Sequence, residues 1–444
     1  NVFRKKMKRV FQKIQPLFDF LAAFRRGFPS RKLFVVGITG TSGKTITVDL
    51  AHRVLEQTNQ KVASISSVKI KIEDSEISVG SDLIKQGSFF LQKFLQTALR
   101  AGCKYAIIEV APQEDIYKFI NFDVAVLTNS SQDLFLGQPS GQILRLFKQT
   151  KGTHIINMDD KNAGYLLQTL SKEKIGYSIL ENSSAEVSKV VGAKNAQDLL
   201  KGLYFEINNV EFNLNLTGLF NIYNALGAIC VGLSQELSLQ ECKKALENVE
   251  GIPGRLENIY LGPFRAVIDY AFTPDHLKQT YEVLTKQLEL PASKLICVLG
   301  ACGERYQRER KILGQIAGQY CQEIIITNED PYNERPQAII DQVALDAGDR
   351  AIKIIDRREA INKALSLANE GDIIAITGKG SEPFIHIENG KKISWDDRRV
   401  VKEEAKALGI ALAPKEEEKE VPDGKKALSH EMQRLQKYRD AHWR

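Results

Sequence analysis

Residues 33–49 read LFVVGITGTSGKTITVD and join an apolar run to a glycine turn and the start of a helix. Apolar and β-branched residues at 33–38 predict a buried strand, and the residues from Thr45 onward predict a helix. Between them lies Gly40-Thr41-Ser42-Gly43-Lys44-Thr45. A glycine turn of this kind presents backbone N–H groups and a helix N-terminus to phosphate, while Lys adds a charge and Thr can ligate Mg²⁺. The stretch therefore predicts a nucleoside triphosphate site.

The loop is a variant of the strict phosphate-binding loop. The strict form has glycine five residues before Gly43, where this chain has Ile38, so the match is to the shorter TGTxGKT form. The alternative is an ordinary strand-to-helix turn that contains GKT by chance. The flanking strand and helix favour the phosphate loop.

The composition is that of a globular protein with 444 residues, 43% hydrophobic and 26% charged. This length predicts two or three domains. No apolar run reaches the roughly 18 residues of a transmembrane helix, and no signal peptide is visible. Six cysteines without a C-x-x-C pair and six dispersed histidines are typical of a reduced cytoplasmic protein without a zinc site.

Residues 1–32 form a separate basic segment. They carry ten Lys or Arg and one acid, Asp19, although the whole chain has a net charge of only +6. The basic charge is therefore local and does not predict nucleic-acid binding. Apolar residues at helical spacing, divided by Pro16, predict an amphipathic helix. Its apolar face contacts a membrane surface or a protein partner, or it packs on the next domain.

The remaining chain predicts two α/β domains and a tail. Strands alternate with helices over residues 33–250, which predicts a central domain with a mostly parallel sheet. Glycine and proline at 251–254 mark a joint. A second series over residues 251–411 predicts a Rossmann-like C-terminal domain, and the charged residues 412–444 predict a flexible tail.

The clearest predicted strands of the central domain are Leu33–Ile38, Tyr105–Val110, Val124–Leu127 and Thr153–Asn157, and its clearest helices are Thr45–Thr58 and Phe89–Arg100. Those of the C-terminal domain are Ala266–Tyr270, Leu295–Leu299, Glu323–Thr327, Lys353–Ile355 and Asp372–Thr377.

Three short segments add candidate site residues. Glu109 ends a predicted strand, where an acid that binds Mg²⁺ would lie beside the loop. Asn221 and Asn224 lie three apart on one helix face and could contact an adenine edge. Arg255 follows the joint and could reach a phosphate. Taken alone, Glu109 is more often a surface acid at a strand end, and the two asparagines more often belong to a capped helix.

Together these segments resemble the Mur ligase family, the ATP-dependent enzymes that add amino acids to the peptidoglycan stem peptide, and most of all its MurE branch. The resemblance runs from about Leu33 to Leu408, without the UDP-binding domain that normally precedes the loop. It is carried further by the motifs DYAFTPD at 269–275, GACGER at 300–305, TNEDPYNERP at 327–336 and GKGSE at 378–382.

The resemblance implies ATP-driven amide formation through an acyl phosphate on a UDP-muramoyl-peptide-type acceptor, with Mg²⁺. It implies a catalytic role for Lys44 and for Lys148, the latter as a carbamylated lysine; the alternative for Lys148 is a solvated helix lysine. Implied ATP contacts are Gly40, Thr41, Ser42, Gly43, Lys44, Thr45, Asn221, Asn224, Arg255, Asp269 and Arg305. Implied metal ligands are Thr45 and Glu109.

Several positions depart from the family pattern. Two histidines of the family correspond to Leu134 and Gln138, and another to Phe272. An aspartate and a lysine of the family correspond to Tyr306 and Glu309. The segment that contacts the UDP-muramoyl substrate corresponds to residues 84–86. The resemblance implies a second Mg²⁺ held with the help of the carbamylated lysine, and the loss of these histidines weakens that implication.

The implied amino-acid site contains Asp330, Tyr332, Glu334, Gly378, Lys379 and Glu382. Family members that select diaminopimelate have Asp-Asn-Pro-Arg, whose Arg pairs with the distal carboxylate, whereas this chain has Glu-Asp-Pro-Tyr at 329–332. The extra carboxylate predicts a basic amino acid such as lysine or ornithine. Two other functions stay open: a nucleotide-binding partner subunit with weakened catalysis, and a ligase with a different acceptor.

Overall fold

The computed structural model describes residue 17 and residues 19–78, 87–111, 117–130, 141–199, 202–304 and 307–412. These residues form two compact units. The first contains the described residues up to Asn215 and Leu219–Glu250, and the second contains Leu216–Gly218 and the residues from Gly251 onward. Most of the predicted N-terminal helix and of the predicted tail lies outside the described residues.

The first unit is built on a nine-stranded sheet. Its strands are β1 (Phe34–Thr39), β2 (Val62–Ile65), β3 (Lys69–Ile72), β4 (Ser75–Ser78), β5 (Tyr105–Val110), β6 (Val124–Leu127), β7 (Thr153–Asn157), β8 (Glu173–Ser178) and β9 (Lys189–Gly192). Their order is β4-β3-β2-β5-β1-β6-β7-β8-β9. Strand β1 pairs in parallel with β5 and β6, whereas β3 pairs antiparallel with both β2 and β4.

Helices cover this sheet, whose central strands are buried along nearly their whole length. The helices are α1 (Lys44–Glu56), α2 (Gly87–Arg100), α3 (Gly141–Gln149), α4 (Ala163–Leu167), α5 (Phe220–Leu233) and α6 (Leu239–Glu247). Helix α6 begins with a capping box of Ser238 and Glu241, and α5 packs against α1. A small antiparallel sheet contains β10 (Lys194–Leu199), β11 (Gly202–Ile207) and β12 (Val210–Leu214).

The second unit has a six-stranded sheet. Its strands are β13 (Glu257–Leu261), β14 (Phe264–Asp269), β15 (Leu295–Leu299), β16 (Glu323–Ile326), β17 (Ala351–Lys353) and β18 (Ile373–Thr377). Their order is β13-β14-β18-β15-β16-β17, and only β13 pairs antiparallel. A hairpin of β19 (Phe384–His386) and β20 (Lys392–Ser394) follows. The helices are α7 (Pro274–Lys286), α8 (Arg310–Tyr320), α9 (Pro336–Ala344), α10 (Arg357–Leu367) and α11 (Asp397–Ala407).

The predicted α/β fold class is confirmed. The strands Tyr105–Val110, Val124–Leu127, Thr153–Asn157 and Leu295–Leu299 match the prediction at both ends, because continuous apolar runs with β-branched residues are typical of buried parallel strands. The predicted strand Lys353–Ile355 is misplaced, since β17 ends at Lys353. Among the described residues, no helix is long and apolar enough to cross a membrane. All six cysteines are free thiols.

Candidate functional site

Glycine is required at both ends of the loop that joins β1 to α1. Gly40 has a φ of +149° and Gly43 a φ of +77°, which residues with a Cβ rarely adopt. A Cβ on Gly40 would lie 2.0 Å from Thr128 Oγ1, and one on Gly43 would lie 2.2 Å from Asn224 Oδ1. The glycines let the backbone turn tightly against its neighbours, as an anion-binding loop requires.

Two residues that follow β6 hold this loop in place. Asn129 Oδ1 accepts a hydrogen bond from the backbone N–H of Ser42 at 2.9 Å, and Thr128 Oγ1 donates one to Ser42 O at 2.7 Å. The N–H of Thr41 donates to Asn129 O at 3.0 Å. Neither residue was predicted to contact the loop. Their position in the sequence could have indicated the contact. They directly follow β6, which neighbours β1, and residues that follow parallel strands meet at the same edge of the sheet.

Lys44 places its ammonium group against the loop. Its Nζ donates hydrogen bonds to Gly40 O at 2.9 Å and to Thr41 O at 3.2 Å. Lys44 is also the first residue of α1, so its charge lies near the positive end of the helix dipole. The loop, the cation and the helix end form an arrangement that attracts a phosphate.

Thr45, Ser67 and Glu109 form a cluster of oxygen atoms beside the loop. Thr45 Oγ1 donates a hydrogen bond to Glu109 Oε2 at 2.9 Å, and this carboxylate oxygen also accepts one from the backbone N–H of Ser67 at 2.9 Å. The hydroxyls of Thr45 and Ser67 lie 3.1 Å apart. A carboxylate with two hydroxyl oxygens is a donor set that suits Mg²⁺. The residues present fit a magnesium ion, and Ser67 is an addition to the predicted set.

Asn221 and Asn224 lie on α5 and are both 3% exposed. Asn224 Nδ2 donates a hydrogen bond to Asn221 Oδ1 at 2.8 Å, and Asn224 Oδ1 accepts one from Thr47 Oγ1 at 3.3 Å. Asn224 therefore supports the first turn of α1 and lies against Gly43. The predicted contact of these amides with adenine stays a prediction.

Several other predicted site residues are exposed or lie outside the described residues. Lys148 is the penultimate residue of α3 and is exposed. The family's histidine positions at Leu134 and Gln138 lie outside the described residues, as do residues 84–86. Arg305, predicted near a phosphate, also lies outside them. The carbamylation of Lys148 and the second metal site stay predictions.

In the second unit, Asp269 is engaged by its own neighbours. Its carboxylate accepts hydrogen bonds from the N–H of Leu256 at 2.9 Å and from Thr280 Oγ1 at 3.1 Å. His276 Nε2 lies 3.3 Å from Asp269 Oδ1. The guanidinium carbon of Arg255 lies 4.5 Å from the ring centroid of Tyr270, which is a cation–π contact. The predicted ribose and phosphate contacts of Asp269 and Arg255 stay predictions.

A buried lysine joins two of the predicted amino-acid-binding carboxylates. Lys379 is fully buried, and its Nζ lies 2.9 Å from Asp330 Oδ1 and 2.6 Å from Glu382 Oε2. Both acids are nearly buried. The hydroxyl of Tyr270 donates to the other carboxylate oxygen of Glu382 at 2.9 Å. These interactions raise the pKa of Lys379 above its ordinary value despite burial, which lowers it.

Glu329 adds a third carboxyl group to this cluster. Its Oε2 is buried and has no hydrogen-bond partner among the described residues, and a Cβ on Gly378 would lie 2.3 Å from that atom. Burial, followed by the charge of Asp330, raises the pKa of Glu329 to about 7. The cluster therefore contains three acids and one lysine, and it keeps a net negative charge even when Glu329 is protonated.

Tyr332 and Glu334 lie on the loop that follows Glu329 and Asp330. Tyr332 has a φ of +49°, and its ring stacks on His386 with centroids 5.2 Å apart. Glu334 forms an ion pair with the buried Arg310, with N–O distances of 2.8 and 3.0 Å. Arg310 lowers the pKa of Glu334 to about 2. Glu334 thus already has a cation of its own.

A buried ion pair that was not predicted from the sequence lies near this cluster. Arg357 contacts Asp397 through two hydrogen bonds of 2.8 and 2.7 Å, and it donates a third to Thr377 O at 2.9 Å. Arg357 also lines a cleft of about 640 Å³ together with Asn328 and Trp395. The pair fixes the end of β18 that precedes Gly378. Its members lie 40 residues apart, so neither spacing nor a motif indicated the contact.

Comparison with known proteins identifies the family. The Mur ligase middle domain matches residues 38–232, and the Mur ligase, glutamate ligase domain matches residues 254–380. A UDP-N-acetylmuramoyl-L-alanyl-D-glutamate–2,6-diaminopimelate ligase of Syntrophomonas wolfei is 33% identical over 86% of this chain and 80% of the relative. A UDP-N-acetylmuramyl-tripeptide synthetase of Roseiflexus is 31% identical over 88% and 82%.

A solved structure agrees with these relatives at the level of the fold. A UDP-N-acetylmuramoyl-L-alanyl-D-glutamate–2,6-diaminopimelate ligase superposes with a TM-score of 0.58 at 24% identity, covering 87% of this chain and 82% of that chain. The curated relatives are ligases that form carbon–nitrogen bonds in peptidoglycan precursor synthesis. With two matching domains and relatives above 30% identity over most of its length, the chain belongs to the Mur ligase family.

Proposed function

We propose that the chain binds Mg·ATP at Gly40–Thr45. The observation that carries this proposal is the hydrogen-bonded cluster of Thr45, Ser67 and Glu109 directly beside the loop. Lys44 would balance the charge of the β- and γ-phosphates, and Thr45 and Glu109 would hold the metal. When bound, Mg·ATP supplies the phosphoryl group that activates a carboxylate.

The chemistry that follows is amide formation. We propose that a carboxylate of a UDP-muramoyl-peptide-type acceptor is converted to an acyl phosphate, and that the amine of an amino acid then displaces phosphate. The names of the curated relatives support this acceptor class. Such a reaction depends on positioning and charge neutralisation more than on covalent help from the protein. Lys148, as a carbamylated lysine, would assist a second metal ion.

The amino acid is proposed to carry a cationic side chain. Asp330, Glu382 and Glu329 outnumber Lys379, so the cluster can accept a further ammonium group. Tyr332 stands where relatives selective for diaminopimelate are expected to have an arginine, and its aromatic face suits a cation. Glu334 attracts a cationic side chain less strongly than expected, since Arg310 neutralises its charge.

We also propose a cytoplasmic location, because six free thiols are typical of a reducing compartment. The proposed acceptor is a UDP-muramoyl peptide, and residues of the phosphate loop would bind the Mg·ATP that activates it. The proposed ATP binding and amide formation do not involve nucleic acid.

The proposed function is tested by ADP release from purified full-length protein. We expect release only when Mg·ATP, an amino acid and a UDP-muramoyl dipeptide are all present. Lys44→Ala should abolish it, whereas Lys161→Ala, which changes an exposed lysine of the same unit, should not. ATP binding without turnover under any acceptor and amino-acid combination would favour the partner-subunit function instead.

A further inference from the structure

One face of the N-terminal helix, residues 19–25, is fixed to the first unit. Asp19 is 2% exposed, and Ala22 and Ala23 are completely buried. Ser88 Oγ donates a hydrogen bond to the Asp19 carboxylate. Asp19 is the only acid among the first 32 residues. Because its carboxylate is turned inward, the outward face of this segment carries no negative side chain.

The opposite face presents large apolar side chains to solvent. We call the side chains of Leu17, Phe20, Leu21 and Phe24 the Phe20 patch; they are 59%, 41%, 39% and 62% exposed. Their spacing of three and four residues places them on one side of a helix. The ring of Phe20 lies 5.9 Å from that of Phe24 and 5.7 Å from that of Phe119. Exposed apolar side chains grouped on one face of a helix in this way indicate an interaction site.

Exposed basic side chains follow the Phe20 patch in sequence, and another lies next to a residue that contacts it. Arg25, Arg31, Lys32 and Lys118 are all exposed, and Lys118 directly precedes Phe119, which contacts the patch. The Arg31 guanidinium carbon lies 4.5 Å from the ring centroid of Phe28. An apolar helix face that carries no acid of its own and is followed by exposed cationic residues is typical of helices that lie in the interface of a membrane.

We propose that the Phe20 patch docks this chain on an anionic lipid surface. The phenylalanines and leucines would enter the headgroup boundary, and the neighbouring arginines and lysines would contact lipid phosphates and carboxylates. Each basic residue near such a surface strengthens binding by about fivefold. A second copy of this chain is the less suitable occupant, since a two-fold contact would bring the same cationic residues together.

The experiment is co-sedimentation of the full chain with vesicles. Phosphatidylcholine vesicles with about one third phosphatidylserine are compared with pure phosphatidylcholine at low and high salt. Phe20→Asp combined with Phe24→Asp tests the apolar contact, and Leu170→Asp combined with Leu345→Asp, at leucines that are 80% and 67% exposed, is the matched control. Arg25→Glu with Arg31→Glu tests the charges, with Lys161→Glu and Lys391→Glu as the control.

We expect binding to anionic vesicles only, weakened by salt, and a loss of about tenfold or more in both Phe20-patch and arginine variants. The control variants should bind like the unmodified chain. Melting temperature and ATP affinity, measured on every variant, show that the fold is retained. Absence of binding to anionic vesicles, equal losses in the controls, or a dimer that the Phe20→Asp and Phe24→Asp changes dissociate would overturn the proposal.

Discussion

Thr45 Oγ1 donates a hydrogen bond of 2.9 Å to Glu109 Oε2, which joins the first turn of α1 to the carboxyl end of β5. The two residues lie 64 positions apart in the sequence. Their contact places a hydroxyl and a carboxylate beside the phosphate loop, and this is the arrangement on which the proposed magnesium site depends.

Glu109→Gln should weaken the magnesium dependence of ATP binding. The amide keeps the size of the side chain but removes the charge that favours a divalent cation. We expect ATP affinity in the presence of Mg²⁺ to fall by about tenfold or more, with little change in its absence. Isothermal titration calorimetry with and without Mg²⁺ measures this, and Glu211→Gln at an exposed position is the control. An unchanged magnesium dependence would exclude Glu109 as a ligand.

Gly43→Ala should destabilise the first unit more than Gly102→Ala does. Both glycines have left-handed φ values, +77° and +79°, so both substitutions incur a backbone cost of about 1–2 kcal/mol. Only at Gly43 would the new Cβ meet a close atom, Asn224 Oδ1 at 2.2 Å, whereas at Gly102 the nearest atom is 3.9 Å away. Urea unfolding followed by circular dichroism measures the difference. Equal losses would show that Asn224 moves away without cost.

Lys379→Met should destabilise the second unit by about 3–5 kcal/mol, because it leaves the buried carboxylates of Asp330 and Glu382 without their cation. Lys353→Met breaks an ion pair with the same N–O distance of 2.9 Å, but that pair is about half exposed, so its loss should be below about 1 kcal/mol. Comparing the two variants by chemical unfolding separates burial from charge pairing. A similar small loss in both would mean that water reaches the cluster.

Glu329→Gln should stabilise the second unit increasingly as pH rises. The pKa of Glu329 is about 7 in the folded chain against an ordinary value of 4.5, so the folded state binds the proton more tightly. The unmodified chain therefore loses stability between about pH 4.5 and 7, and the loss stays constant above that range. Glutamine cannot ionise, so the variant should gain about 1–3 kcal/mol across this window.

The measurement is the free energy of unfolding at about pH 5 and about pH 8. Glu370→Gln, at an exposed carboxylate, is the control and should show no such trend. If the difference between variant and unmodified chain does not depend on pH, Glu329 does not titrate in this range.

Tyr332→Arg should shift amino-acid preference toward diaminopimelate, since a guanidinium could pair with its distal carboxylate. We expect the ratio of kcat/KM for lysine over diaminopimelate to fall by about tenfold. Tyr332→Phe keeps the stacking on His386 and should leave the ratio unchanged. If the unmodified chain already prefers diaminopimelate, the proposed cationic side chain is wrong.

The sequence was most informative where local pattern and function coincide. The phosphate loop requires glycine at Gly40 and Gly43 because both have positive φ values and closely packed neighbours. The loop and its flanking strand and helix could therefore be predicted. Buried parallel strands such as β5 and β15 were also predictable, because continuous apolar runs leave little choice of conformation.

The contacts that support the site could not be predicted in the same way. Thr128, Asn129 and Ser67 reach the loop only because the sheet brings distant strand ends to one edge. Lys379 pairs with Asp330 across 49 positions of the sequence. The pocket that was predicted to be acidic is therefore partly neutralised by its own lysine. Side-chain pairing of this kind depends on tertiary structure and leaves no periodic signal in the sequence.

The most direct test of the central claim is the mass of the product. Purified chain is incubated with Mg·ATP, lysine and a UDP-muramoyl dipeptide, and the acceptor is analysed by mass spectrometry beside Lys44→Ala. The proposed function predicts an acceptor heavier by one lysine residue, formed together with ADP and absent with Lys44→Ala. An unmodified acceptor with every amino acid tried, in a preparation that binds Mg·ATP, would contradict it.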